Sequence, residues 1–202
     1  MHDRATSIET SQLSRDVLTA AGGRAILCFL GSVRKSKGFR FLVDIVSDHP
    51  DLVKDVFVVA VGSVDPASGG DCARLISAGG MVVDRFVSDD ELLSLYKTCD
   101  LAWCCYEPEY DQASGVFGRS VQLGARPIIR KGSYLEKYAQ EGAVAPVCLI
   151  YGDPHDAAAH IAAAAANRSD GVADSRSDKA VRLGEIVPSW RSDFIQKIRA
   201  VL

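Results

Sequence analysis

A chain of 202 residues with 48% hydrophobic content holds enough apolar material for one sizeable globular domain. A formal net charge of −3 gives no footprint for nucleic acid or an anionic membrane surface. No apolar run approaches membrane-spanning length, and the opening Met1-His2-Asp3-Arg4 does not read as a signal peptide.

Six cysteines stand at 28, 72, 99, 104, 105 and 148, with no C-x-x-C pair among them. Neither a zinc site nor a redox dithiol is therefore expected, no metal site is assigned, and the thiols read as buried in a reducing cytoplasm.

Residues 1–23 begin polar. Ile8, Leu13, Val17, Leu18 and Ala21 then form an irregular apolar face closed by Gly22-Gly23, which reads as a tail or a marginal helix. Ala25–Leu30 is a first buried strand, followed by a loop over residues 31–38 and apolar helical spacing from Phe39 to Val46. Val56–Val61 is a second strand. A Gly- and Ser-rich loop then leads to a short helix near Cys72–Ser77. Met81–Val83 is a third strand, and Ser88 with Glu91 three residues later forms a capping box for a helix to about Thr98. Strands four and five are placed at Leu101–Cys105 and Arg126–Ile129. A helix near Tyr134–Gln140 follows, then a sixth strand over Ala143–Tyr151 and an alanine-rich helix over His155–Ala166. A polar stretch from 167 to 178 precedes two closing helices, at about 179–186 and 189–202. His2, His49, His155 and His160 show no partner pattern that points to chemistry.

Strands alternate with helices, and the strands are continuous apolar runs, as strands covered on both faces require. The pattern predicts an α/β fold with a doubly wound parallel sheet of about six strands and C-terminal helices. Residues 24–202 are expected to form one Rossmann-like domain. No G-x-G-x-x-G follows the first strand and no Walker A pattern occurs, which disfavours an ordinary NAD domain or a P-loop enzyme.

The stretch from Tyr106 to Pro127 organises the rest. A polar loop leaves strand four and feeds a helix that starts near Ser114-Gly115. The first amides of such a helix lack intrahelical partners and point at the loop, which makes an anion site at the strand ends. Ser114 suits the N-cap and Gly115 permits close approach of a ligand.

In this order the motifs resemble the C-terminal, donor-binding half of a GT-B glycosyltransferase of the family 4-like retaining kind. That family follows its first donor-domain strand with Gly-Arg-x-x-x-x-Lys-Gly. Here Gly31, Lys37 and Gly38 fit, while Ser32 stands where the arginine would be, with Arg34 or Lys35 nearby to supply charge. Residues 86–100 resemble the family's base-binding loop and the helix after it, with Arg85 in place of the usual glycine and Phe86 and Val87 following. Pro108 and Pro127 match the prolines that bracket the sugar-phosphate loop, and Pro188-Ser189-Trp190 resembles the start of the last helix.

The family carries two glutamates eight positions apart across that loop and helix, one for the donor sugar and one for the ribose. Counting from the two prolines places Gln112 and Ser120 there. A register shifted by one places Asp111 and Arg119 there instead, at the expense of the Pro108 match. The first alignment is preferred.

The resemblance implies a donor site for a nucleoside diphosphate sugar, with no further cofactor. Lys37 and Gln112 are its catalytic candidates. Gly31, Ser32, Arg34, Arg85, Phe86, Val87, Ser114, Gly115, Val116 and Ser120 are its binding candidates. It also implies a missing partner, because GT-B enzymes close donor and acceptor domains on one cleft. The expected partners are thus a nucleotide sugar and an acceptor-binding domain or subunit, with no nucleic acid and any membrane contact peripheral and through that partner. A non-catalytic relative serving as an interaction or regulatory module, and a sugar-nucleotide epimerase-like domain, stand as the alternatives. A cytoplasmic location is expected.

Overall fold

The apolar runs become the six strands of one sheet: β1 (Ala25–Leu30), β2 (Val56–Val61), β3 (Met81–Val83), β4 (Leu101–Cys104), β5 (Arg126–Arg130) and β6 (Val147–Leu149). They are seen in a computed structural model that describes residues 10 to 142 and 144 to 167. The order across the sheet is β3-β2-β1-β4-β5-β6, and every pairing is parallel. Among the described residues eight α-helices accompany them, α1 before the first strand, α8 after the last and the others between: α1 (Gln12–Ala21), α2 (Phe39–Asp48), α3 (Leu52–Asp55), α4 (Gly69–Ser77), α5 (Asp89–Thr98), α6 (Gly115–Gln122), α7 (Tyr134–Glu141) and α8 (Pro154–Ala166). The expected doubly wound parallel α/β sheet is what the described residues form.

The side-chain alternation of a strand explains why β1 is apolar throughout. Ala25, Leu27 and Phe29 pack with α2, α4 and α8 on one face, and Ile26, Cys28 and Leu30 pack with α1 and α5 on the other. Farther along the sheet, α6 and α7 cover Cys104 and Ile129 with Phe117, Val121, Leu135 and Ala139. All six cysteines are free thiols, five of them buried.

The marginal N-terminal helix forms and is tied down. The Ser11 side chain caps it by accepting from the Ser14 amide, and the Ser11 amide donates to Ser94 Oγ on α5 at 2.8 Å. Leu13, Val17 and Ala21 are buried beneath it. The Ser88–Glu91 capping box is present with both of its bonds.

Three elements depart most from the sequence reading. Helix α4 starts at Gly69, before Cys72, because Asp65 and Pro66 set up a tight 3-10 turn that runs straight into it. The short α3 has no counterpart in the sequence reading. Strand β6 covers only Val147–Leu149: Pro146 has no amide to pair, and Ile150 is half exposed. Residue 143, where that strand was placed to begin, lies outside the described residues. So do the two closing helices, Pro188-Ser189-Trp190 and all of the polar stretch 167–178 except Asn167. Among the described residues no helix is long and apolar enough to cross a membrane.

Candidate functional site

Strands β1 and β4 are neighbours whose chains leave in opposite directions. After β1 the chain turns into α2 on one face; after β4 it turns into α6 on the other. The two loops part and leave a crevice at the C-terminal ends of the strands, where open parallel sheets bind ligands.

The loop after β1 is pinned from below. Gly38 adopts φ 72°, and a Cβ there would collide with the Cys105 carbonyl oxygen, so only glycine lets this loop lie on the end of β4. The Trp103 indole N–H donates to the Lys37 carbonyl at 3.1 Å, and the Glu107 amide donates to the Ser36 carbonyl at 3.2 Å. With its backbone fixed, Lys37 reaches back over Gly31, where an added Cβ would meet Lys37 Nζ at 3.3 Å. Burial and, secondly, the charge of Arg34 lower the Lys37 pKa from the ordinary lysine value. Among the described residues no carboxylate forms an ion pair with it.

The loop after β4 is fixed at three points. Tyr106 Oη and Ser114 Oγ share a hydrogen bond of 2.7 Å, while Ser114 Oγ caps α6 by accepting from the Phe117 amide at 3.2 Å. Tyr110 Oη accepts from Arg34 Nη2 at 2.9 Å, and the guanidinium lies 5.2 Å from the Tyr110 ring centroid. Asp111 takes an ion pair from Arg130 at 3.0 Å and the Tyr134 amide at 2.9 Å, at the start of α7.

Between the two loops lies a cleft of about 330 Å³. Gly31, Lys37, Gln112, Ser114, Gly115 and Val116 all line it, so six of the expected site residues converge. The first-turn amides of α6 have no intrahelical acceptor, and its positive dipole end opens here. Ser114 contributes through its backbone, since its hydroxyl is engaged with Tyr106 and Phe117.

The other expected residues stand apart from the lining. Ser32 is exposed, and Arg34 is held against Tyr110, with its Nε buried and unpartnered. Arg85 pairs with Glu91 at 2.6 Å and also donates to the Phe86 carbonyl, Phe86 is 84% exposed, and Val87 is buried in the core. These three precede α5, whose Leu92 and Tyr96 do line the cleft.

Ser120 requires a correction. It is fully buried, its hydroxyl donates to the Phe117 carbonyl at 2.8 Å, and it does not line the cleft. Arg119 lines it instead, because it lies one helical turn after Gly115 while the next residue is rotated toward the sheet. Asp111 faces Arg130, so neither of the two alignments supplies both positions.

Sequence reading did not single out Leu92, Tyr96 and Tyr110, although the first two lie in the stretch 86–100 and the third in the loop after β4, because no local pattern shows which of their neighbours turn toward the cleft. Among the described residues no cluster of histidine, cysteine, aspartate or glutamate could hold a metal ion.

No protein-family model and no curated protein matches the sequence. Solved structures match its fold. The C-terminal domain of a glycosyl transferase group 1 family protein, LpcC from Francisella tularensis, is 13% identical, with a TM-score of 0.58 over 90% of this chain and 94% of that one. The catalytic domain of cholesterol-α-glucosyltransferase from Helicobacter pylori is 17% identical, with a TM-score of 0.58 over 82% of this chain and 96% of that one. A UDP-forming α,α-trehalose-phosphate synthase from Burkholderia xenovorans is 13% identical, with a TM-score of 0.60 over 95% of this chain and 47% of that one. At such identities the likeness is one of fold. This chain has the fold of a GT-B C-terminal domain and spans about half the length of that synthase.

Proposed function

We propose that this glycosyltransferase-like domain binds a nucleoside diphosphate sugar and serves as the donor half of a retaining glycosyltransferase. Turnover then requires an acceptor-binding domain or subunit to close over the cleft. The observation that carries this reading is the convergence of Lys37 and the open N-terminus of α6 on one cleft at the switch point of the sheet.

Sugar transfer from such a donor builds negative charge on the departing diphosphate. An ammonium and unpaired amides aimed at those oxygens stabilise the charge as it develops. Lys37 is suited to this role because, among the described residues, it has no carboxylate partner to release first. Gln112, at the mouth of the cleft, can donate to and accept from sugar hydroxyls.

A second reading is favoured by a different observation. Among the described residues no carboxylate lines the cleft, and Ser120 is turned into the core. That suits a non-catalytic relative that keeps nucleotide binding, or only the fold, and acts as an interaction module.

Titration with uridine, guanosine and adenosine diphosphates, followed by amide chemical shifts, tests the first reading. It expects at least one to bind below millimolar concentration and to shift amides of residues 31–38 and 112–119. Silence from all three removes the donor role and leaves the fold. Transfer on adding the cognate acceptor half separates the donor half from the non-catalytic module.

A further inference from the structure

Among the described residues the cleft is lined by two basic side chains and no acidic one. Lys37 reaches it from the loop after β1, and Arg119 reaches it from the second turn of α6, with the α6 N-terminus between them in sequence order along the wall. The chain as a whole carries a net charge of −3, so this local excess of positive charge runs against its composition.

The other basic candidates do not line the cleft. Arg34 is bonded to Tyr110, Arg85 is paired with Glu91 at 2.6 Å, and Lys35 is exposed outside the lining. Arg119 is free to act. Its nearest carboxylate, Asp89, is 3.9 Å away with its side chain 85% exposed, a spacing and setting in which an ion pair holds little.

We infer that Arg119 is the second cation of the ligand site, clamping with Lys37 the two phosphoryl groups of a diphosphate and setting the preference for diphosphate over monophosphate. This rests on the donor reading above and deepens it. Guanidinium suits the role because its planar fork can bond two phosphate oxygens at once. The described lining, without carboxylates, also lacks charged acceptors for hydroxyls, so the diphosphate, more than the sugar, carries the affinity.

The test titrates inorganic pyrophosphate, nucleoside diphosphates and nucleoside monophosphates into the wild-type chain and into Arg119→Gln, Arg119→Glu, Asp89→Asn and Lys37→Ala, each checked for native circular dichroism. Pyrophosphate is expected to compete with nucleoside diphosphate. Arg119→Gln is expected to weaken diphosphate binding by about tenfold or more, the scale of a lost hydrogen bond to a charged group, and monophosphate binding much less. Arg119→Glu is expected to weaken diphosphate binding further, and Asp89→Asn to leave it equal or tighter.

Diphosphate binding retained in Arg119→Gln but lost in Lys37→Ala overturns the role of Arg119 and leaves the donor reading standing. An equal loss in Asp89→Asn and Arg119→Gln overturns it too, because Arg119 then acts through α5. If neither pyrophosphate nor any nucleotide binds the wild-type chain, the donor reading falls and this inference with it.

Discussion

The indole N–H of Trp103, in the middle of β4, donates to the backbone carbonyl of Lys37 at 3.1 Å. A fully buried core residue thereby fixes the main chain of the lysine that lines the cleft. Trp103→Phe removes the donor, leaves that carbonyl unpaired and opens a small void. We expect a loss of about 2–4 kcal/mol in urea unfolding and weaker diphosphate binding. Lower stability with unchanged binding would mean that Gly38 packing and the Glu107–Ser36 hydrogen bond position the loop without it.

Lys37→Ala is expected to weaken diphosphate binding by about 1.5–3 kcal/mol while the fold survives. The pH dependence follows from the lowered lysine pKa. An anion bound beside the ammonium favours the protonated form, so the bound-state pKa lies above the free-state one. Affinity is therefore full below the free-state pKa and falls as pH rises through it, starting below the ordinary lysine range. Calorimetry across alkaline pH should show this fall in the wild type and a flatter profile in Lys37→Ala. Matching profiles would assign the titration to another group.

Asp111 latches the loop of the cleft to α7 through Arg130 and the Tyr134 amide. Arg130 is only 14% exposed on its side chain, so removing its partner leaves a largely covered guanidinium without a counter-charge. Asp111→Ala is expected to cost about 1–3 kcal/mol and to speed amide exchange across residues 107–113. Unchanged exchange there would show that the Tyr106–Ser114 and Arg34–Tyr110 contacts hold the loop unaided.

Glutamate substitutions at the two aligned positions should behave oppositely. Gln112→Glu places its carboxylate in an exposed part of the cleft, where it is expected to leave stability within about 0.5 kcal/mol and to change donor affinity. Ser120→Glu buries a charge behind α6 and is expected to cost several kcal/mol. Chemical denaturation of both variants decides this. A stable Ser120→Glu that binds ligand more tightly would mean that α6 can rotate to present this position.

The sequence by itself determined the sheet. Continuous apolar runs at 25–30, 56–61 and 101–104 must be covered on both faces, and helical spacing between them forces parallel crossovers. It also determined the cap residues Ser88 and Ser114, whose short hydroxyls satisfy the first helical amides. The loop positions of Gly31, Lys37 and Gln112 were legible for a related reason, since a strand end and a helix start bracket them.

What only the tertiary structure decided was orientation across elements. One residue along a helix is a rotation of about 100°, and that step separates Arg119 in the cleft from Ser120 in the core. No local pattern fixes it, because the face of α6 that turns inward is chosen by its packing on β4 and β5. Likewise, Arg34 and Arg85 carry charge of the right sign near the site in sequence. Tyr110 engages the first and Glu91 the second, through contacts made only when the chain is folded.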